Sequence, residues 1–267
     1  VLESLDLEPR VVVFLALAGF AAGFIDAVVG GGGLVQLPAL LVGLPGATPV
    51  QLLATNKLGS ICGTTVSSVT YFRRIRPDVR TAVPFALAAF AGSAGGAALA
   101  FLISKEAFNP IILVVLVAVG AYTLLKPSMG RMQALRFGQA RRKHLGTAVV
   151  IGLVVGAYDG ALGPGTGSFF VFALVSALGY GFLEASAKAK IANLATNLAA
   201  LVVFVPQGAV IWSVGLVLGA TNVLGGYLGA RVAVSRGSGF VRVVFVVIVV
   251  AFILKIGYDV WVQLATA

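Results

Sequence analysis

GFIDAVVGGGG at residues 23–33 and YDGALGPGTG at residues 158–167 decide the fold. Each places one acidic residue four positions before a glycine-rich break: Asp26 before Gly30, and Asp159 before Gly163. Each is set in apolar sequence, with runs at 11–29 and 34–44 around the first and at 145–163 and 167–179 around the second. Clustered glycine is costly in a helix interior, and Pro164 removes a backbone donor. Both stretches therefore predict a helix that stops and restarts. At about 1.5 Å per residue, neither run after a break crosses a hydrocarbon core of about 30 Å. The two short runs are expected to be half-helices or re-entrant segments.

The rest of the chain has the composition of a membrane protein. Of its 267 residues, 59% are hydrophobic and 10% charged, and the mean hydropathy is +1.04. A soluble domain carries about 25% charged residues and could not bury so much apolar surface at this length. That excludes an ordinary soluble enzyme, a nucleic-acid-binding domain and a disordered chain. Further apolar runs lie at 50–72, 80–103, 108–125, 186–205, 209–233 and 240–263, each near the ~20 residues that a spanning helix needs. They are continuous rather than alternating, which argues against β-barrel strands. The expected fold is an all-α integral membrane protein, a polytopic bundle of about eight long helices and two short segments. The 34 glycines suit close helix packing. A single cysteine, Cys62, excludes an internal disulfide, and a single histidine, His144 in a basic loop, excludes a multi-histidine site. The acidic start at residues 1–8 is unlike the basic n-region of a signal peptide.

The two halves align on each other. A shift of 133 residues places Gly19 on Gly152, Gly23 on Gly156, Asp26 on Asp159, Gly30 on Gly163, Gly32 on Gly165, Gly46 on Gly179 and Lys57 on Lys190. Further on, a shift of 130 places Gly95 and Gly96 on Gly225 and Gly226. An Asp and a Lys recurring in one register inside apolar sequence mark a duplication: repeat 1 at 11–126, a basic linker at 127–144 and repeat 2 at 145–263, in a single transmembrane domain over 1–267. Basic residues set the orientation. Thirteen of the 19 fall in three loops: Arg73, Arg74, Arg76 and Arg80; Lys126, Arg131, Arg136, Arg141, Arg142 and Lys143; Arg231, Arg236 and Arg242. Those loops are assigned to the cytoplasm. The acidic start, the Lys105–Glu106 turn and the Pro206–Gly208 turn then lie outside. Equivalent loops of the two halves carry opposite charge character, so the repeats are inverted and both chain ends emerge outside. Inverted repeats with broken helices point to a secondary transporter.

Ionisable residues within hydrocarbon are candidates for function. Asp26, Lys57, Asp159 and Lys190 all recur in the repeat. Lys190, Asn193 and Asn197, at i, i+3 and i+7, share one helix face, and Lys57, Ser60 and Thr64 make the matching stripe. Two such helices can present two lysines to one central cavity, with Asn56, Gln36, Thr196 and Asn222 as neighbours. The alternative is plain interhelical hydrogen bonding by the Asn, Ser and Thr set. The breaks aim helix N-termini, with free N–H groups, at the interior, and Gly31, Gly32, Gly33, Gly165, Thr166 and Gly167 are the expected backbone contacts. Two helix ends and two lysines make an anion site. Asp26 and Asp159 are read two ways: as carriers of a coupling proton, or as acceptors that hold the loop. Lys188 points away from Lys190 and is expected to snorkel to an interface. No P-loop, nucleophile–base set or metal cluster is present in the sequence, so no enzyme activity, catalytic residue, metal or cofactor is expected.

With LPALL at 37–41, ATNK at 54–57 and KAKIANLATN at 188–197, these stretches resemble the TauE/SafE membrane permease family over about residues 11–260. The resemblance implies a permease for sulfite or organosulfonates in the cell inner membrane. It carries over to the glycine-rich breaks, to Asn56 and Lys57, and to Thr196 and Asn197. The residues themselves require only a small anion as partner, together with the lipid bilayer and no nucleic acid. A homodimer, an anion channel and a carboxylate transporter stay open.

Overall fold

The computed structural model describes residues 8–102, 135–137 and 141–265. Among them the chain is helical, without strands. The first half contains α1 (Pro9–Val29), α2 (Gly33–Gly43), α3 (Pro49–Ile75) and α4 (Val79–Leu99). The second contains α5 (Arg141–Ala161), α6 (Thr166–Ala173) with a π-helical turn over Leu174–Leu178, α7 (Phe182–Phe204) and α8 (Trp212–Ala265). The apolar run at 108–125, the Lys105–Glu106 turn and most of the linker lie outside the described residues. Helix α5 already begins at Arg141, so His144 sits in its first turn and not in a loop.

Among the described residues, five helical stretches are long and apolar enough to cross a membrane: Pro9–Val29, Val79–Leu102, Arg141–Ala161, Phe182–Gln207 and Trp212–Val241. The 50–72 run becomes α3, which is long enough at 27 residues but too polar to belong to that set. Its polar residues explain the difference: Asn56, Lys57, Thr64, Ser67 and Ser68 are all buried against other helices, not turned to lipid. Leu17, Leu87, Val154 and Leu216 on the spanning helices are mostly exposed, as lipid-facing positions should be. The last two apolar runs form the single element α8, interrupted at Gly237, whose φ of 76° and ψ of −174° no helix accommodates.

Packing is close where glycines meet backbone. Helix α1 lies on α8 and α5 on α4, while α3 and α7 pack on each other. A Cβ at Gly92 or Gly96 would strike the Leu153 or Ala157 carbonyl of α5. A Cβ at Gly225 or Gly229 would strike the Phe20 or Phe24 carbonyl of α1. Small residues let these backbones touch, which is how helices gain packing energy when water supplies no driving force.

Candidate functional site

The breaks form as the glycines require, and they meet. Gly30 closes α1 in the left-handed region, φ 82°, with its N–H donating to the Asp26 carbonyl at 2.7 Å. Gly163 and Gly165 adopt φ of 87° and 79°, and the Thr166 hydroxyl donates to the Gly163 carbonyl at 2.8 Å. Tyr158 Oη donates to the Pro164 carbonyl at 2.8 Å. Ser168 then ties one break to the other. Its N–H donates to the Gly30 carbonyl at 3.1 Å and its hydroxyl to the Val29 carbonyl at 2.8 Å. Gly30 and Gly167 lie so close that a Cβ on either would overlap the backbone of the other.

Around this crossing is a small polar cavity of about 20 Å³, partly open to solvent. Its wall contains Asp26, Gly30, Gly33, Asn56, Lys57, Ser60, Asp159, Gly163, Gly165, Thr166, Gly167, Asn193 and Asn197. Lys57, both aspartates and the helix starts of α2 and α6 therefore come together, whereas Lys190 does not line the cavity and lies behind its partner Asp26. Gly31, Gly32 and Gln36 do not line it. Gln36 is fully buried and already engaged: Nε2 donates to the Asn56 carbonyl at 3.1 Å, and Oε1 accepts from Asn222 Nδ2 at 2.7 Å. Its amide joins α2, α3 and α8. Ser60, Gly30 and Gly163 complete the wall; they were legible only as members of the polar stripe and of the breaks.

The charges are paired crosswise between the halves. Lys57 Nζ of α3 meets Asp159 Oδ2 of α5 at 2.6 Å, with side chains 2% and 5% exposed. Lys190 Nζ of α7 meets Asp26 Oδ2 of α1 at 2.9 Å, with side chains 0% and 18% exposed, and it also donates to the Asp26 carbonyl oxygen. The aspartate side chains thus hold lysines; the hydrogen bond that closes the first break goes to the Asp26 backbone instead. Two amide oxygens at this level, Asn56 Oδ1 and Asn193 Oδ1, are buried without a hydrogen-bond partner. Asn197 Nδ2 donates to Thr64 Oγ1 at 3.2 Å, closing the wall between α3 and α7.

Lys188 corrects its expected snorkelling. It is fully buried, donates to the Asp78 carbonyl at 3.0 Å, pairs with Glu184 at 3.3 Å and lies 4.9 Å over the Tyr180 ring. The chain entering α4 covers it, so no path to an interface is needed. Tyr180 Oη in turn lies 2.8 Å from His144 Nε2. Partial burial would raise the Asp78 carboxyl, but hydrogen bonds from the Thr81 hydroxyl and the Arg80 N–H, with the Lys188 charge, hold it below its usual range.

Known proteins similar to this chain are membrane transporters. The model of the family described as sulfite exporter TauE/SafE matches residues 15–256. A probable membrane transporter protein of Sinorhizobium is 36% identical over 254 residues, covering 95% of each chain. The probable membrane transporter protein YfcA of Escherichia coli is 34% identical, covering 95% of this chain and 92% of its own. One from Haemophilus influenzae is 33% identical, covering 96% and 98%. No solved structure matches the chain at a significant level.

Proposed function

Because the chain belongs to the sulfite exporter TauE/SafE family of membrane transporters, we propose that it is a secondary transporter carrying sulfite or a small organosulfonate through the cavity between its glycine breaks. The observation that carries this reading is the meeting of Lys57 and two helix starts in one polar cavity, with Lys190 held just behind its wall on Asp26. Helix N-termini and ammonium groups are donors, and a tetrahedral oxyanion is rich in acceptors. Asn56, Asn193, Asn197, Ser60 and Thr166 supply neutral polar groups to orient it. The same groups would serve a carboxylate, so the sulfur in this assignment rests on the family.

Alternating access follows from inverted repeats, and several contacts support that arrangement. Thr64 and Asn197, which are mates under the 133-residue shift, hydrogen-bond to each other, as residues beside a pseudo-two-fold axis would. The pairs Lys57–Asp159 and Lys190–Asp26 exchange under the same shift. So do Gly92 on Leu153 and Gly225 on Phe20, and Gly96 on Ala157 and Gly229 on Phe24. These contacts carry the ungapped shift of 133 into α4 and α8, in place of the shift of 130 that aligned Gly95 and Gly96. One repeat rocking against the other would expose the cavity to each side in turn. The distribution of basic residues supports a cytoplasmic position for the loop at Arg73–Arg80 and for the stretch Arg231–Arg242 around the Gly237 kink of α8, with both termini outside; residence in the inner membrane rests on the family.

Purified protein in liposomes loaded with unlabelled methanesulfonate should take up labelled methanesulfonate saturably. Sulfite and other sulfonates should compete, and acetate and phosphate should compete weakly. Equal competition by acetate would discard the sulfur assignment. Unsaturable conductance would replace the transporter with a channel.

A further inference from the structure

Among the described residues, the crossed ion pairs leave the cavity without a spare charge; Lys190 stands behind its wall and reaches it through Asp26. Lys57 is neutralised by Asp159 and Lys190 by Asp26, each within hydrogen-bonding distance. An anion entering this arrangement alone would add one negative charge to a buried site whose positive charges are already engaged. Uncompensated charge in such surroundings is strongly unfavourable. One proton removes the conflict. If a carboxylate is neutralised, its lysine is released to face the anion, and the total charge of the cavity is again zero.

From this balance, and resting on the anion site proposed above, we infer that the anion loads together with one proton, taken up by Asp26. The proton passes from solvent to the Asp26 carboxylate; Lys190 transfers its ion pair from Asp26 to the anion; both are released on the other side. Each cycle moves one monoanion and one proton, with no net charge. Asp26 is preferred to Asp159 on geometry. Its side chain is 18% exposed against 5%, and its contact with lysine is 2.9 Å against 2.6 Å. Among the described residues, Lys190 from α7 and Tyr71 from α3 are the titratable groups facing it, and Tyr71 is engaged on the neighbouring Ala27 carbonyl at 2.9 Å. Helices α2 and α6 carry no titratable residue. Helix α8 meets this part of α1 through Asn222 and Gly229, and its Arg231 is turned to Tyr227. Across the cavity stands the intact Lys57–Asp159 pair. The inference also sets the substrate charge: a dianion would need two protons, so the site selects the singly charged form of an acid.

The test uses methanesulfonate, which stays ionised at any working pH and cannot itself carry a proton through lipid. Purified protein in weakly buffered detergent, with a pH indicator, should take up about one proton per methanesulfonate bound, and its affinity should fall about tenfold per pH unit on the alkaline side. In liposomes, methanesulfonate influx should acidify the lumen and should not respond to a potassium–valinomycin potential. Binding by the Asp26→Asn protein should take up no proton and lose the pH dependence. Should that variant fail to fold, the native protein alone decides. Saturable binding without proton uptake, or flux driven by the membrane potential, would overturn the inference and leave the anion site standing. Proton uptake that persists in folded Asp26→Asn would overturn the assignment to Asp26. Absence of any methanesulfonate binding would remove both the inference and the sulfonate reading beneath it.

Discussion

Replacing Lys57 with Met should destabilise the protein severely, and replacing Asp159 with Asn at the same time should restore most of the loss. The pair is 2.6 Å long between side chains only 2% and 5% exposed. Removing the lysine leaves a carboxylate with almost no water to solvate it, and breaking a buried pair in this way costs about 3–5 kcal/mol. Asp159→Asn alone strands the ammonium group at similar cost. The double substitution leaves no charge behind; buried pairs replaced by hydrophobic groups of similar volume are about neutral or better, and the amide at 159 gives back about 1–3 kcal/mol at most. The coupling energy between the two positions should therefore exceed about 3 kcal/mol, well above the value for an exposed pair of about 1 kcal/mol or less. On the scale of a 250-residue domain, each single variant should lose about 6–20 °C of Tm. Cys62 is the chain's single cysteine and is half-buried, so a thiol-reactive dye reports unfolding in detergent from one site. A double variant no more stable than either single one would refute the crossed pairing.

Adjacent glycines of α4 should behave oppositely: Gly96→Ala drives a Cβ into the Ala157 carbonyl and should lower Tm, whereas Gly95→Ala meets nothing within 4 Å and should be neutral or gain up to about 1 kcal/mol of helix propensity. Gly30→Ala combines strain at φ 82° with overlap on Gly167; purified protein should be scarce, and whatever folds should lose anion exchange. Asp78 supplies a pH signature. Its folded carboxyl is held below the usual range, so its contribution is complete at neutral pH and is lost as pH falls through the folded value, below about pH 4. The Tm difference between the native protein and Asp78→Asn should shrink as pH falls through that window. A constant difference would show that the carboxylate charge does not matter there.

Much of the helical layout was legible because apolar runs and glycine breaks are local signals. The run at 11–29 became Pro9–Val29, and the break before residue 34 became the left-handed Gly30 with a helix restarting at Gly33. Lys57, Asp159, Lys190 and Asp26 stood out because charge within apolar sequence is costly. Their pairing was not legible. The partners are 102 and 164 residues apart, and helical spacing reports only which residues share a face. Helical spacing turns Lys188 away from Lys190, but nothing local shows that the chain before α4 folds over it. Gln36 shows the same limit: a lone amide in an apolar run looks like a ligand contact, and only tertiary packing reveals that Asn222 and Asn56 already use it. The lower hydropathy of α3 has the converse cause, since its polar groups are satisfied inside the bundle.

In the proposed cycle the anion binds where the two breaks cross, beside Lys57 and in front of the Lys190–Asp26 pair. Anomalous diffraction from crystals grown with 2-bromoethanesulfonate would locate it directly. The account predicts one strong bromine peak in that cavity, lost in the Lys190→Ala protein. A peak elsewhere with the cavity empty, or a cavity peak undiminished by Lys190→Ala, would contradict it.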